Sequence, residues 1–239
     1  MQLSELFGKA GLECPREAEK IEVKNIVTDS RRVEKGSLFI CLRGTRADGH
    51  EYMDEAIRSG ASVIVAEKVR DACVGGAAAI ILLDNTRSVS ARLYNAWYGN
   101  PTERLKIVGA TGTNGKTSVS TMLYEVFTAL GYKAGLIGTV KCLSVGGKVL
   151  KIASKDPLAN MTTPDPEELS CALSQLERDG VEYVLWRCPL MRSPCIRWTQ
   201  YSLSLVYLPI SAVIISIFTE PWKNISKRNK GFLPLADVD

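Results

Sequence analysis

The chain has 239 residues, with 30 Lys+Arg against 26 Asp+Glu, a length that supports one large or two ordinary domains with a buried core. The net charge of +4 lies wholly in residues 186–239, which hold 7 basic and 3 acidic side chains, whereas residues 1–185 balance at 23 and 23. A basic excess confined to a tail argues against a nucleic-acid surface on the folded part.

Seven cysteines are scattered without a C-x-x-C pair, and Cys14, Cys41, Cys73, Cys142 and Cys171 read as reduced thiols of a cytoplasmic protein. A single histidine, His50, disfavours a zinc centre. The opening Met1-Gln2-Leu3-Ser4-Glu5-Leu6-Phe7 is amphipathic and acidic, unlike a signal peptide.

In chain order, Ser37–Leu42 reads as a buried strand and Tyr52–Ser59 as a helix ended by Gly60. Ser62–Ala66 and Ala79–Leu83 read as further strands. A helix over Arg87–Tyr98 is broken by Gly99-Asn100-Pro101, which marks a domain boundary. The expected first domain, residues 1–100, is thus a small α/β unit. The next, residues 101–185, starts with the apolar strand Leu105-Lys106-Ile107-Val108. Ala134–Thr139 reads as a strand, Val145-Gly146-Gly147-Lys148 as a hairpin turn, Pro166–Arg178 as a helix and Val181–Leu185 as a strand. Alternating strand and helix predicts an α/β fold with a parallel sheet and its ligand at the carboxyl ends of the strands.

The chemistry concentrates at Gly109-Ala110-Thr111-Gly112-Thr113-Asn114-Gly115-Lys116-Thr117. Glycines let the backbone turn so that N–H groups point at phosphate oxygens, and the helix that follows aims its positive end at the same anion. Lys116 reaches the β- and γ-phosphates and the Thr117 hydroxyl ligates Mg²⁺ in such a loop. The pattern G-x-x-x-x-G-K-S/T is met except at Ala110, with Gly109 one step earlier. A helix follows over Ser118–Phe127, stopped by Gly131.

The longer string through Thr113-Asn114 resembles the ATP loop of the Mur ligase family. Thr28-Asp29-Ser30-Arg31-Arg32, Gly44-x-x-Ala47-Asp48-Gly49-His50, Ala56-Ile57-x-x-Gly60-Ala61 and Thr162-Thr163-Pro164 resemble, in that order, the branch that adds a third residue to UDP-N-acetylmuramoyl-alanyl-glutamate. The likeness covers about residues 1–185. It implies an ATP-dependent amide ligase of peptidoglycan precursor synthesis, cytoplasmic and monomeric, binding neither membrane nor nucleic acid. Its substrates would be the UDP-linked dipeptide and diaminopimelate or lysine. Gly112, Thr113, Asn114, Gly115, Lys116, Thr117 and Ser118 would hold ATP, with Lys116 catalytic and Thr117 on Mg²⁺. Ser30, Thr45, Arg46, Thr162 and Thr163 would contact the UDP-linked substrate. Read without the family, Ser30 is a turn residue, Thr45 and Arg46 a solvated loop, and Thr162 and Thr163 caps of the 166–178 helix. His50 reads as structural. The folylpolyglutamate-type ligases share the loop but not the Asp29-Ser30-Arg31 region.

From Trp186 the likeness ends and periodicity fades. The family has Met-Glu-Val-Ser-Ser-His-Ala here, whose glutamate helps hold Mg²⁺. Codons CTA TGG AGG TGT CCT CTC ATG CGC for Leu185–Arg192 encode that string when read one base out of phase. The same shift over Leu208–Glu220 permits Thr-Asn-Leu-Ser-Arg-Asp-His-Leu-Asp-Phe-His-Gly, and on to Asn229 it permits Thr-Met-Glu-Glu-Tyr-Leu-Glu-Ala-Lys. Residues 186–239 are therefore expected to be an out-of-frame tail, poorly packed. The family's Rossmann-like carboxyl-terminal domain, the Mg²⁺ glutamate and the lysine modified to a carbamate are expected to be missing, and activity with them. The uncharged run 202–218 is at the short end for a membrane span and carries Pro209. The competing reading is a P-loop module whose tail is a genuine partner- or membrane-binding segment.

Overall fold

The computed structural model describes residues 1–44, 47–69, 78–112, 115–138, 141–150, 165–187, 204–210 and 213–218. The chain divides into two compact units, with a boundary between Pro101 and Thr102.

The first unit is built on four parallel strands in the order β1 (Asn25–Val27), β2 (Ser37–Ile40), β3 (Val63–Ala66), β4 (Ala79–Leu82). Strand side chains alternate between faces, and the central strands β2 and β3 are buried on both, as parallel strands usually are. Leu38, Ile40, Val63 and Val65 pack with Leu3, Leu6 and Phe7 of α1 (Leu3–Lys9) and Val89 and Leu93 of α3 (Thr86–Trp97). Phe39, Cys41, Ile64 and Ala66 pack with Met53 and Ala56 of α2 (Met53–Arg58).

Helix α3 starts at Asn85, whose side chain accepts from Ser88 N–H, and ends in Gly99 at φ 86°. There the N–H of Gly99 and Asn100 return to the carbonyls of Ala96 and Asn95, a left-handed glycine cap that stops the helix before Pro101. Helix α5 (Pro166–Arg178) is grouped with this first unit although chain order places it after the nucleotide loop. Its contacts are with α3, and Arg32 meets Glu167 at 3.5 Å; tertiary packing overrides sequence order.

The second unit carries a seven-stranded sheet in the order β10-β11-β5-β9-β6-β7-β8. Its centre is parallel: β5 (Lys106–Gly112) and β6 (Ala134–Ile137) both pair with β9 (Tyr183–Arg187). β7 (Cys142–Leu143) and β8 (Val149–Leu150) extend it antiparallel around the turn at Val145–Gly147. Helix α4 (Lys116–Ala129) covers one face, where Leu123, Tyr124 and Phe127 meet Val108, Leu136 and Leu185. Gly131, at φ 83°, closes α4: its N–H bonds Thr128 O and that of Tyr132 bonds Phe127 O. The two aromatic rings pack 5.5 Å apart, the apolar contact that accompanies such a cap.

Two departures from the sequence reading stand out. Strand β5 runs on to Gly112 rather than ending at Val108, because residues 109 and 110 keep their ladder to β9. The second lies in the tail, where periodicity predicts no element. β10 (Ser204–Ile210) and β11 (Val213–Phe218) form an antiparallel pair, and β11 lies along β5 from Ile107 to Gly112. An open strand edge offers unpaired N–H and C=O groups, and a run rich in Val and Ile suits them whatever its origin. Among the described residues no helix is long and apolar enough to cross a membrane.

Candidate functional site

β5 delivers the chain to Gly112, and α4 begins four residues later at Lys116. Gly115 is the residue before the helix and sits at φ 76°, left-handed space that a side chain would strain. That conformation turns the chain into α4 within one residue. Lys116, Thr117 and Ser118 form the first turn, which holds no acidic residue. Lys116 is half-buried, while Thr117 and Ser118 are exposed. Ser120 Oγ donates to Thr117 O at 3.1 Å and stiffens that turn. A fourteen-residue helix with an acid-free amino end and a lysine at its first position turns its positive end outward, the polarity that suits an anion. Thr113 and Asn114 lie outside the described residues; of the seven expected ATP contacts, Gly112 ends β5 and Gly115, Lys116, Thr117 and Ser118 open α4.

The metal side is different. β9 runs beside β5 with Trp186 opposite Gly109 and Arg187 opposite Ala110. Neither indole nor guanidinium ligates Mg²⁺. Among the described residues no three His, Cys, Asp or Glu side chains gather to hold a metal. Of the described residues at this turn, Thr117 is the one expected to ligate a cation.

In the first unit Ser30 is nearly buried in a single-turn helix, Ser30–Arg32. The turn is capped by Asp29, which accepts Arg31 N–H at 3.0 Å and Arg31 Nη2 at 2.6 Å. The Arg31 side chain thereby holds the Asp29 carboxyl below its usual range. Ser30 is thus not the cap. Its Oγ donates to Glu55 Oε2 at 3.2 Å, a partner 25 residues away that sequence reading missed.

Thr45 and Arg46 lie outside the described residues. They are bracketed by a bridge between Arg43 and Asp48 and by Gly44 N–H bonding Ala47 O at 2.9 Å. Behind that bracket His50 is buried with both ring nitrogens engaged. Nδ1 lies 2.5 Å from Asp48 Oδ1, and Nε2 accepts Glu67 N–H at 3.0 Å. Glu67 in turn accepts from Thr86 N–H and Oγ1 at the start of α3. The histidine ties two loops together, a structural role.

Thr162 and Thr163 also lie outside the described residues. The capping role open to them is taken by Asp165: its Oδ1 accepts Glu168 N–H at 2.8 Å, and Glu168 Oε2 accepts Asp165 N–H at 3.3 Å. That reciprocal pair is a capping box, legible in the sequence as Asp165-Pro166-Glu167-Glu168.

A glycine-turned strand-to-helix connection on a parallel sheet, preceded by a separate small α/β unit, defines an α/β protein of two units with the layout of a nucleotide-loop fold. Residues 22–108 match the Mur ligase family, catalytic domain, and residues 110–186 the Mur ligase middle domain. The chain belongs to the Mur ligase family. It is 41% identical over 185 residues to UDP-N-acetylmuramoyl-L-alanyl-D-glutamate–2,6-diaminopimelate ligase of Parabacteroides distasonis, covering 77% of this chain and 36% of that protein. It is 40% identical over 156 residues to the ligase of the same name from Geobacillus kaustophilus, covering 65% and 29%. A solved structure of such a ligase matches with a TM-score of 0.56 at 20% identity, covering 79% of this chain and 36% of that one; that likeness speaks to the fold. The chain spans about a third of the length of the curated relatives it matches.

Proposed function

We propose that this chain carries the amino-terminal and part of the ATP-binding domain of an ATP-dependent amide ligase of peptidoglycan precursor synthesis. The whole protein would join a third amino acid to UDP-N-acetylmuramoyl-alanyl-glutamate in the cytoplasm, as a monomer, without membrane or nucleic acid. The names of the relatives favour diaminopimelate over lysine. ATP would supply a phosphoryl group to the free carboxylate of the dipeptide, making it reactive toward the incoming amine. In this chain Gly112 to Ser118 would cradle the phosphates. Lys116 would counter the charge that builds on the transferred phosphoryl oxygens. Ser30, Thr45, Arg46, Thr162 and Thr163 would hold the UDP-linked substrate.

The reading includes the tail. Residues 186–239 are the product of a single-base insertion or deletion near the codons for Val184–Leu185, and the present chain is inactive. The observation that carries this is where the family match stops. It ends at residue 186, the point at which the one-base shift begins to spell the family's Met-Glu-Val-Ser-Ser-His-Ala. The shifted frame restores a glutamate next to the strand end, where Trp186 and Arg187 now stand. No Mg²⁺-dependent step is assigned to the present chain, because these residues do not fit the ion.

Sequencing the gene tests the frame: an alternative frame that does not encode the three strings ends the idea. Ligation tests the function. The 239-residue chain should form no product from UDP-N-acetylmuramoyl-alanyl-glutamate, ATP and diaminopimelate or lysine, and the reframed gene product should turn over. Robust ligation by the present chain overturns the tail argument, and an inactive reframed protein overturns the functional one. The pairing of β11 with β5 supports a second reading, a P-loop module with an evolved tail. In that case the shifted frame would be interrupted by stop codons.

A further inference from the structure

Three segments that chain order separates meet near the carboxyl end of β1. Tyr94 of α3 is buried, and its Oη donates to Ile26 O of β1 at 3.2 Å. It also shares a side-chain hydrogen bond with Thr28, which leads into the Ser30 turn. Tyr98, at the end of the same helix, shares one with Cys171 of α5. Helix α3 thus holds both neighbours. The charges of Asp165, the cap of α5, and of Arg32, the end of the Ser30 turn, act on both tyrosines. The amino end of α5 and the Ser30 turn therefore gather at this pair of rings.

One further tie joins the two directly. Arg32 Nη1 lies 3.5 Å from Glu167 Oε2, with side chains 40% and 16% exposed. An ion pair of that length and exposure adds little to global stability. It can still fix a local geometry. The first turn of α5 is braced within itself by the reciprocal bonds of Asp165 and Glu168, so a hold on Glu167 is a hold on the amino end of the helix. The neighbouring arginines divide the work. Arg31 turns back on Asp29 inside the turn, whereas Arg32 reaches across 135 residues of chain.

We propose that Arg32 is a positioning residue: through Glu167 it sets the amino end of α5 against the Ser30 turn. Ser30 stands two positions before Arg32, and Thr163 four before Glu167. The pair thereby presents together the two segments assigned to the UDP-linked substrate. The inference rests on that assignment, and its test separates the two.

Two measurements on the 239-residue chain serve. Hydrogen exchange reads the tie without a ligand. In Arg32→Gln and in Glu167→Gln the amide protons of Glu168 and Leu169, both bonded to Asp165, should exchange up to about fivefold faster, with those in the middle of α3 unchanged. Calorimetry with UDP-N-acetylmuramoyl-alanyl-glutamate, below the transition of every variant, reads the consequence. Each variant should bind roughly threefold more weakly, because the competent arrangement is less populated. The double variant should bind no more weakly than either single one. Melting temperatures should fall by no more than about a few degrees. Unchanged exchange in both variants overturns the proposal, as does parental affinity in both. Weaker binding in Arg32→Gln beside parental affinity in Glu167→Gln overturns it too, and makes Arg32 a direct substrate contact. If the parent does not bind the substrate, faster exchange in both variants supports the tie and counts against the functional reading instead.

Discussion

Arg187 stands opposite Ala110 across the β5–β9 ladder, and its Nε and Nη1 are buried without a hydrogen-bond partner among the described residues. A guanidinium has five donors and no uncharged form to retreat to. Two of its nitrogens dry and unpaired are a cost that a selected sequence avoids. Arg187 follows directly on the last residue that the family match covers. Arg187→Leu is therefore expected to stabilise the present chain, by about 1–3 kcal/mol. Thermal denaturation checks it: a lower melting temperature in the variant would mean that the guanidinium has found partners and belongs where it is.

Nucleotide binding by the present chain should be weak. The loop keeps the features that hold phosphate: Gly115 at positive φ, Lys116 at the first helical position and an acid-free first turn. It offers Mg²⁺ no carboxylate from β9. Calorimetry with Mg-ATP should give a dissociation constant above about 100 μM, and Lys116→Ala should abolish what remains. Sub-micromolar affinity that disappears in Lys116→Ala would contradict this and would place a metal ligand elsewhere in the chain.

Local signals in the sequence and the tertiary ones hidden from it separate cleanly. Helix α5 was readable in its extent, Pro166–Arg178, but its cap was assigned to Thr162 and Thr163, whereas Asp165 and Glu168 form the capping box. The Lys116–Thr117 turn was readable because glycine, lysine and helix follow in order along the chain. The end of β5 was not, since its glycines resemble a turn until β9 and β11 supply partners on both sides. β10 and β11 were invisible for the same reason: they are strands because an edge was open, not because their side chains alternate. Glu55 was missed as the partner of Ser30, since 25 residues separate them and no periodicity links a turn to a distant helix.

His50 should be a stability residue. Removing it deletes a buried ring, leaves Glu67 N–H without its acceptor and takes the ring N–H away from Asp48. His50→Ala is expected to cost about 2–4 kcal/mol. Burial pushes the Asp48 carboxyl up, but hydrogen bonds from the His50 ring and backbone N–H, with the nearby Lys68 ammonium, outweigh it and hold the pKa below the ordinary value. A carboxyl depressed in the folded state stabilises above its unfolded pKa, and that contribution is lost as pH falls through the folded one. The parent should thus lose stability on acidification below about pH 4 more steeply than His50→Ala does. Parallel acid-unfolding curves for the two proteins would show that the Asp48–His50 pair carries no such linkage.

Ser30 has a structural partner in Glu55 and a proposed role at the substrate, and one pair of variants separates them. Its Oγ–H is given to Glu55 Oε2 at 3.2 Å, in a turn that Asp29 caps independently. The hydroxyl is therefore already oriented, with its oxygen lone pairs still able to accept from a ligand. Ser30→Ala removes donor and acceptor together and should cost about 1 kcal/mol of stability. Glu55→Gln keeps a carbonyl oxygen to accept the same hydroxyl and should cost less. If Ser30 touches the UDP-linked substrate, Ser30→Ala should also weaken binding of UDP-N-acetylmuramoyl-alanyl-glutamate by about tenfold, the worth of one hydrogen bond. Glu55→Gln should leave that affinity near the parent's. The reframed protein is the one to titrate, by calorimetry at a temperature well below the transition of every variant. Equal affinities for parent and Ser30→Ala, with the expected fall in stability, would reduce Ser30 to a turn residue held by Glu55 and remove it from the substrate site.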